Sequence, residues 1–273
     1  MYRTDYHTHT PLCQHAEGSP EDFVARALEL GLHEYGISDH APMPGDAFDD
    51  WRMRESDLPA YLKWIDAART AARGTGLIIR AGLECDWLPG IEKWTAHLRS
   101  LYDWDYLIGS VHYLAPGWAF DDPALAGLFH TGTSEEDWRL YWRHYEAMAS
   151  SGLFDIYGHI DLIRKWGRVP DEDWISLAEP ALAAMKRGGG IMEINTAGLH
   201  TAAKTHYPHP ALLARARQFG IPIQINSDAH APETLSRDFE TAARSAIQVG
   251  YTHTTLPDRS RRPLNDSLPE TDA

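Results

Sequence analysis

Histidines and carboxylates recur in this sequence in short clusters. His7 and His9 stand two apart with His15 just behind, followed by Asp39-His40, Glu84 with Asp86, His112, His159 with Asp161, Glu193 with Asn195, and Asp228 with His230. Imidazole nitrogen and carboxylate oxygen are the ligand set that suits zinc, iron or manganese. Two residues apart is the spacing that puts side chains on one face of a strand, so His7 and His9 can reach one ion, as can Asp228 and His230. Each piece alone is weak, since a lone HxH, DxH or histidine is more often an ordinary surface or hydrogen-bonded group. Together they exceed the needs of one ion. They suit two or three ions sharing a bridging carboxylate, one arrangement that activates water against a phosphoester. His33, His97, His130, His144 and His253 fall away from these clusters and read as ordinary. Cys13 and Cys85 read as neighbours of the site, not ligands.

The elements that must position these groups show in the apolar pattern. Short β-like runs occupy 2–6, 34–38, 77–83, 106–111, 155–157, 190–194 and 221–226, and each leads into one cluster. Helix-like stretches separate most of them. Ser19 reads as an N-cap before Pro20, Glu21 and Asp22, with that helix ending near Gly31. Segments 57–73, 135–151, 173–187, 210–219 and 233–249 are also helical in pattern or ends, and Gly74, Gly152, Gly188 and Gly220 sit just past four of these helices. Alternation of this kind predicts a parallel sheet with helices outside it. The clusters then lie at the carboxyl ends of the strands, where barrels and open parallel sheets build active sites. A GxGxxG turn and a P-loop are absent, which weakens the nucleotide-binding open sheets.

A length of 273 residues and a 43% hydrophobic share suit one α/β barrel. The reading is a single domain over 1–250 and a loose, polar extension over 251–273. A net charge of −14 disfavours nucleic acid as a partner. Two cysteines are too few for a disulfide scaffold and point to a reducing compartment. The opening MYRTDYHTHT lacks a signal-peptide core, and no apolar run approaches the roughly 20 residues of a membrane span. The expectation is a cytoplasmic protein that does not engage a membrane.

HxH with His15, SDH, GLE, SVH, GHID and NSDAH together resemble the polymerase-and-histidinol-phosphatase (PHP) superfamily, over roughly residues 3–235. The longer segments SDHAPMP, GHIDLIRKWG, EINTAG and YPHPALL most resemble its monofunctional histidinol-phosphate phosphatases. The resemblance implies a distorted seven-stranded (β/α)7 barrel holding three divalent ions (Zn, Fe or Mn). The first would sit on His7, His9, Glu84 and Asp228. The second would share Glu84 with His112 and His159, and the third would take His15, His40 and His230. The implied reaction is hydrolysis of a small phosphorylated substrate, L-histidinol phosphate, to L-histidinol and phosphate in histidine biosynthesis. A metal-bridging hydroxide would attack phosphorus in line.

Asp39, Asp161 and His230 are candidates to protonate the leaving alkoxide. Arg164, with Lys165 and Lys204 behind it, would clamp phosphate, and Glu17, Asp86 or Glu193 could meet a substrate amine. After EINTAGL the chain departs from its resemblance: His200 and Thr201 stand where relatives carry an arginine-containing basic pair. Either His200 and Lys204 take over that contact or the substrate differs. Asp46, Asp49, Asp50 and Trp51 read as a solvated loop, although one placed to cover the site. The rival readings are a related phosphoesterase acting on another small phosphate ester or nucleotide, an amidohydrolase, and a metal-storing protein without turnover. His112 disfavours the amidohydrolase, because many of those carry a carboxylated lysine there.

Overall fold

The computed structural model describes residues 2–45, 48–125, 135–170 and 173–267. Asp46, His130 and residues 268–273 lie outside the described residues.

Seven parallel strands form the centre: β1 (Arg3–Asp5), β2 (Leu32–Ile37), β3 (Ile78–Asp86), β4 (Tyr106–Ser110), β7 (Ile156–Tyr157), β8 (Ile191–Asn195) and β9 (Ile223–Asn226). A small hairpin, β5 (Tyr113–Ala115) with β6 (Trp118–Ala119), interrupts the series after β4. The sheet order is β1-β2-β3-β4-β7-β8-β9, so sequence neighbours are sheet neighbours. β4 and β8 are buried along their whole length, as strands covered on both faces must be. The sheet then curls until its first and last strands meet. Thr8 forms a parallel bridge with Ala229, His9 N donates to Ala229 O at 2.9 Å, and Tyr6 N donates to Asn226 Oδ1 at 3.0 Å. Of the two architectures compatible with the sequence, the chain forms the nearly closed (β/α)7 barrel.

Alternate residues of each strand face inward, and they change character along the barrel. Near the amino ends, Tyr106, Ile108, Ile156 and Ile191 form a small apolar cluster with Tyr6 and Leu256. Tyr106 fits there because Gly82 faces it; a Cβ at Gly82 would lie 2.5 Å from the ring. Two residues further along β4 stands Ser110, and further along β8 stand Glu193 and Asn195. The carboxyl end is therefore polar.

The helices outside include α1 (Pro20–Glu29), α2 (Leu58–Ala71), α3 (Glu92–Ser100) and α4 (Glu135–Ser151). They continue with α5 (Trp174–Leu177), α6 (Glu179–Gly188), α7 (Pro210–Phe219) and α8 (Phe239–Gln248). The Ser19–Asp22 capping box forms as its residue types suggest. α3 escaped the periodicity reading because it buries only Thr95 and Leu98. Segment 173–187 is two helices, since Pro180 at the start of α6 has no N–H to carry a helix through. The left-handed cap after α6 is Gly189, not Gly188. Segment 233–249 begins in a short 3-10 turn (Pro232–Thr234) and becomes α-helical only at Phe239, after a bend that sets Ser236 and Asp238 at φ 53° and 60°.

The tail corrects another expectation. Residues 251–267 are not loose: β10 (His253–Thr255) pairs antiparallel with β11 (Arg261–Pro263). Leu264 is buried, and Leu256 reaches the apolar cluster inside the barrel. Tyr251, Leu256 and Leu264, set in polar sequence, are buried and anchor a segment whose average composition suggested disorder.

Candidate metal centre

Glu84 occupies the middle of the polar end. Its Oε1 lies 2.9 Å from His159 Nε2 and 3.6 Å from His112 Nε2. Its Oε2 lies 2.8 Å from His40 Nδ1, 3.3 Å from His7 Nε2 and 3.7 Å from His9 Nε2. One carboxylate thus faces five imidazoles that stand just past the carboxyl ends of β1, β2, β4 and β7, its own strand β3 having run on through Asp86. Asp228 closes the ring from beyond β9, with Oδ1 2.9 Å from His9 Nε2 and 3.5 Å from His7 Nε2. Its φ of 57° is a costly conformation for a non-glycine residue. His230 stacks on His9 with centroids 4.0 Å apart and lies 4.6 Å from His15.

Buried polar atoms normally find partners. Here His7 Nε2, His40 Nδ1, Glu84 Oε2 and His230 Nε2 are buried with none. His40 Nδ1 and Glu84 Oε2 are close yet not aligned to hydrogen-bond one another, as two ligands of one ion would be. Triads within reach of a single ion are His7-His9-Asp228, His7-Glu84-His159 and His9-His40-His230. The residues therefore fit divalent metal. Two further triads, Cys13-His15-His230 and His9-Cys13-Asp39, bring the Cys13 sulfur into the same space, closer than its reading as a bystander implied.

A second layer fixes the rings. Glu193 Oε1 sits 2.8 Å from His7 Nδ1, Asp39 Oδ1 sits 3.3 Å from His9 Nδ1, and Asp86 Oδ1 sits 2.7 Å from His112 Nδ1. Backbone oxygens of Cys13 and Asp228 do the same for His15 (2.8 Å) and His230 (3.0 Å). An acceptor at Nδ1 leaves Nε2 free for an ion. Burial opposes charge on Glu84 and Asp228, yet the surrounding imidazoles hold both carboxyls well below their usual range. Burial, with His9 alongside, keeps His230 down at about 3 and so neutral, the form a ligand requires.

The remaining expected residues divide. Asp39 is buried and accepts from Thr10 Oγ1 and His40 N, so it holds ligands in place. Asp161 is wholly buried. Its oxygens accept from Arg164 Nε (2.7 Å), Arg164 Nη2 (3.3 Å) and His209 N (2.8 Å). Its carboxylate is thus fully engaged, and of the three acid candidates His230 is the one partly open to solvent. Arg164 also reaches Thr205 Oγ1 and His206 O, which leaves one Nη1 hydrogen for a ligand. Lys165 Nζ donates to Asp121 O at 2.8 Å. His200, exposed, lies 2.6 Å from Asp238 through Nε2, and Lys204 is exposed at φ 54°. Among the described residues neither contacts a metal ligand. Asp86 and Glu193 are buried and committed to histidines, which leaves exposed Glu17 as the one amine partner of the three open to solvent.

Arg52 went unnoticed in the sequence. Its buried guanidinium reaches Asp86 Oδ2 and Asp49 Oδ2 at 2.7 Å each, and Ala41 O at 3.1 Å. It ties residues 48–52 to the centre, so this loop is not merely solvated. The only sequence signal was an arginine among acids.

Comparison with known proteins bears on this centre. The PHP domain model matches residues 5–197, and the chain belongs to that family. A "Probable histidinol-phosphatase" of Deinococcus radiodurans is 38% identical over 259 residues, covering 95% of this chain and 98% of the relative. The "Histidinol-phosphatase" of Bacillus subtilis is 29% identical, covering 88% and 98%. A solved structure assigned as a histidinol phosphatase from Listeria monocytogenes superposes with a TM-score of 0.78 at 26% identity, covering 88% of this chain and 99% of that one. Histidinol phosphate phosphatase of Lactococcus lactis, solved with Zn, L-histidinol and phosphate, shares the fold at a TM-score of 0.69 and 21% identity, covering 95% and 98%.

Proposed function

We propose that this chain is a metal-dependent phosphomonoesterase that hydrolyses L-histidinol phosphate to L-histidinol and phosphate. In this reading it is a cytoplasmic enzyme of histidine biosynthesis, one barrel domain holding three divalent ions drawn from zinc, iron and manganese. The observation that carries it is Glu84 with both oxygens turned to separate imidazole groups, a bridging position that a single-ion site does not need. The named relative covering nearly the whole chain supports the substrate.

Ions held there would activate water and neutralise charge on the phosphate. The chain's own part is placement. Glu193, Asp39 and Asp86 orient the imidazoles of His7, His9 and His112, and the spare Nη1 hydrogen of Arg164 is available to a phosphate oxygen. Glu17 is the acidic group open to a substrate ammonium. The reading is tested by steady-state hydrolysis of a phosphomonoester panel with manganese, zinc or iron added singly. L-Histidinol phosphate should be the preferred substrate. A rate no better than for a plain aryl phosphate overturns that substrate, and full activity after all metal is stripped overturns the reaction class.

A further inference from the structure

We propose that Trp51 selects phosphate esters carrying a flat ring, by giving that ring an aromatic wall beside the metal centre; this rests on the phosphatase reading above. Among the described tryptophans, tyrosines and phenylalanines, Trp51 is the one that borders three ligand imidazoles. Its ring centroid lies 4.9 Å from that of His40, 5.4 Å from His112 and 6.5 Å from His15, edge-on in each case. The indole therefore borders the imidazoles that would hold the ions.

It is also held rigidly. Arg52 carries its guanidinium 4.3 Å from the indole centroid, and the Tyr113 ring lies nearly parallel at 5.8 Å. Arg52 is in turn 5.9 Å from the Tyr113 centroid. These three separations close a compact triangle in which Arg52 and Tyr113 both support the indole. Backbone N of Trp51 is fixed to Asp49 Oδ1 at 3.3 Å. Arg52 and Tyr113 are buried, while Trp51 itself stays partly open to solvent. Its Nε1–H has no hydrogen-bond partner among the described residues. A supported, half-open aromatic surface with a spare donor suits a planar heteroaromatic ring, which stacks on such a surface or meets its edge. A simple water-excluding lid would need neither the rigid support nor the open side.

The test compares two substrates. L-Histidinol phosphate has phosphate, amine and ring; O-phosphoethanolamine has phosphate and amine without the ring. Trp51→Ala should raise KM for the first about tenfold, the scale of a lost stack, with kcat little changed, and leave kcat/KM for the second nearly constant. Trp51→Phe should recover most of the loss, while Trp51→Leu, which keeps bulk without the aromatic face, should not. L-Histidinol binding by calorimetry should weaken by the same factor, with metal content unchanged. Equal losses on both substrates, or recovery by leucine, overturn the assignment of Trp51 alone. A wild-type enzyme that does not favour L-histidinol phosphate over O-phosphoethanolamine overturns the proposed substrate and this assignment with it.

Discussion

The carboxylate of Glu193 receives four donors: His7 Nδ1, His159 N, Asn195 Nδ2 and Asn226 Nδ2. Glu193→Gln keeps its size and removes its charge, so metal affinity should fall about 10–100-fold, read by competition with a chelator. A second residue-scale effect is titration. Burial works against charge on His9 and His112, but their carboxylate neighbours push both up to about 9. Below that pH the empty site holds protons that an ion must displace. Metal loading should therefore release protons, and affinity should climb as pH rises toward about 9. Calorimetry in two buffers of different ionisation enthalpy reads this directly; buffer-independent heats would contradict it. Arg52→Ala leaves the buried Asp86 without its cation, which should cost about 3–5 kcal/mol in urea unfolding. The ligands were legible in the sequence because short motifs keep them adjacent. Arg52 was not, because its meaning comes from Asp86, 34 residues away.

Elements differ in how plainly sequence declares them. Strands β8 and β9 stood out because strands buried on both faces read as nearly continuous apolar runs, whereas β1, Arg3-Thr4-Asp5, showed through the tyrosines that flank it and the HxH that follows. Their ends drifted by a few residues; β3 was read as stopping before Glu84 because acidic residues resemble a strand exit. The tail misled for the opposite reason, since two anchoring leucines are lost in a polar average. Leu256→Ala should cost about 2–5 kcal/mol, whereas a loose extension would register no change in the urea midpoint. Gly82→Ala should cost about 1–3 kcal/mol by forcing Tyr106 aside, measured the same way.

At the scale of the molecule, the barrel closes where its first strand meets its last, and the ligands lie across that closure. His7 and His9 come from one side, Asp228 and His230 from the other. Along the chain these partners are far apart: the nearby Tyr6–Asn226 bond spans 220 residues. Closing so long a loop is slow and entropically costly. This has a consequence for the order of events in a cell. On the ribosome, which builds from the amino end, the first histidines emerge while Asp228 is still unmade. The nascent chain can offer an ion only part of its coordination shell, so complete loading waits for Asp228 and His230, and a message broken before β9 would yield a product that lacks both groups.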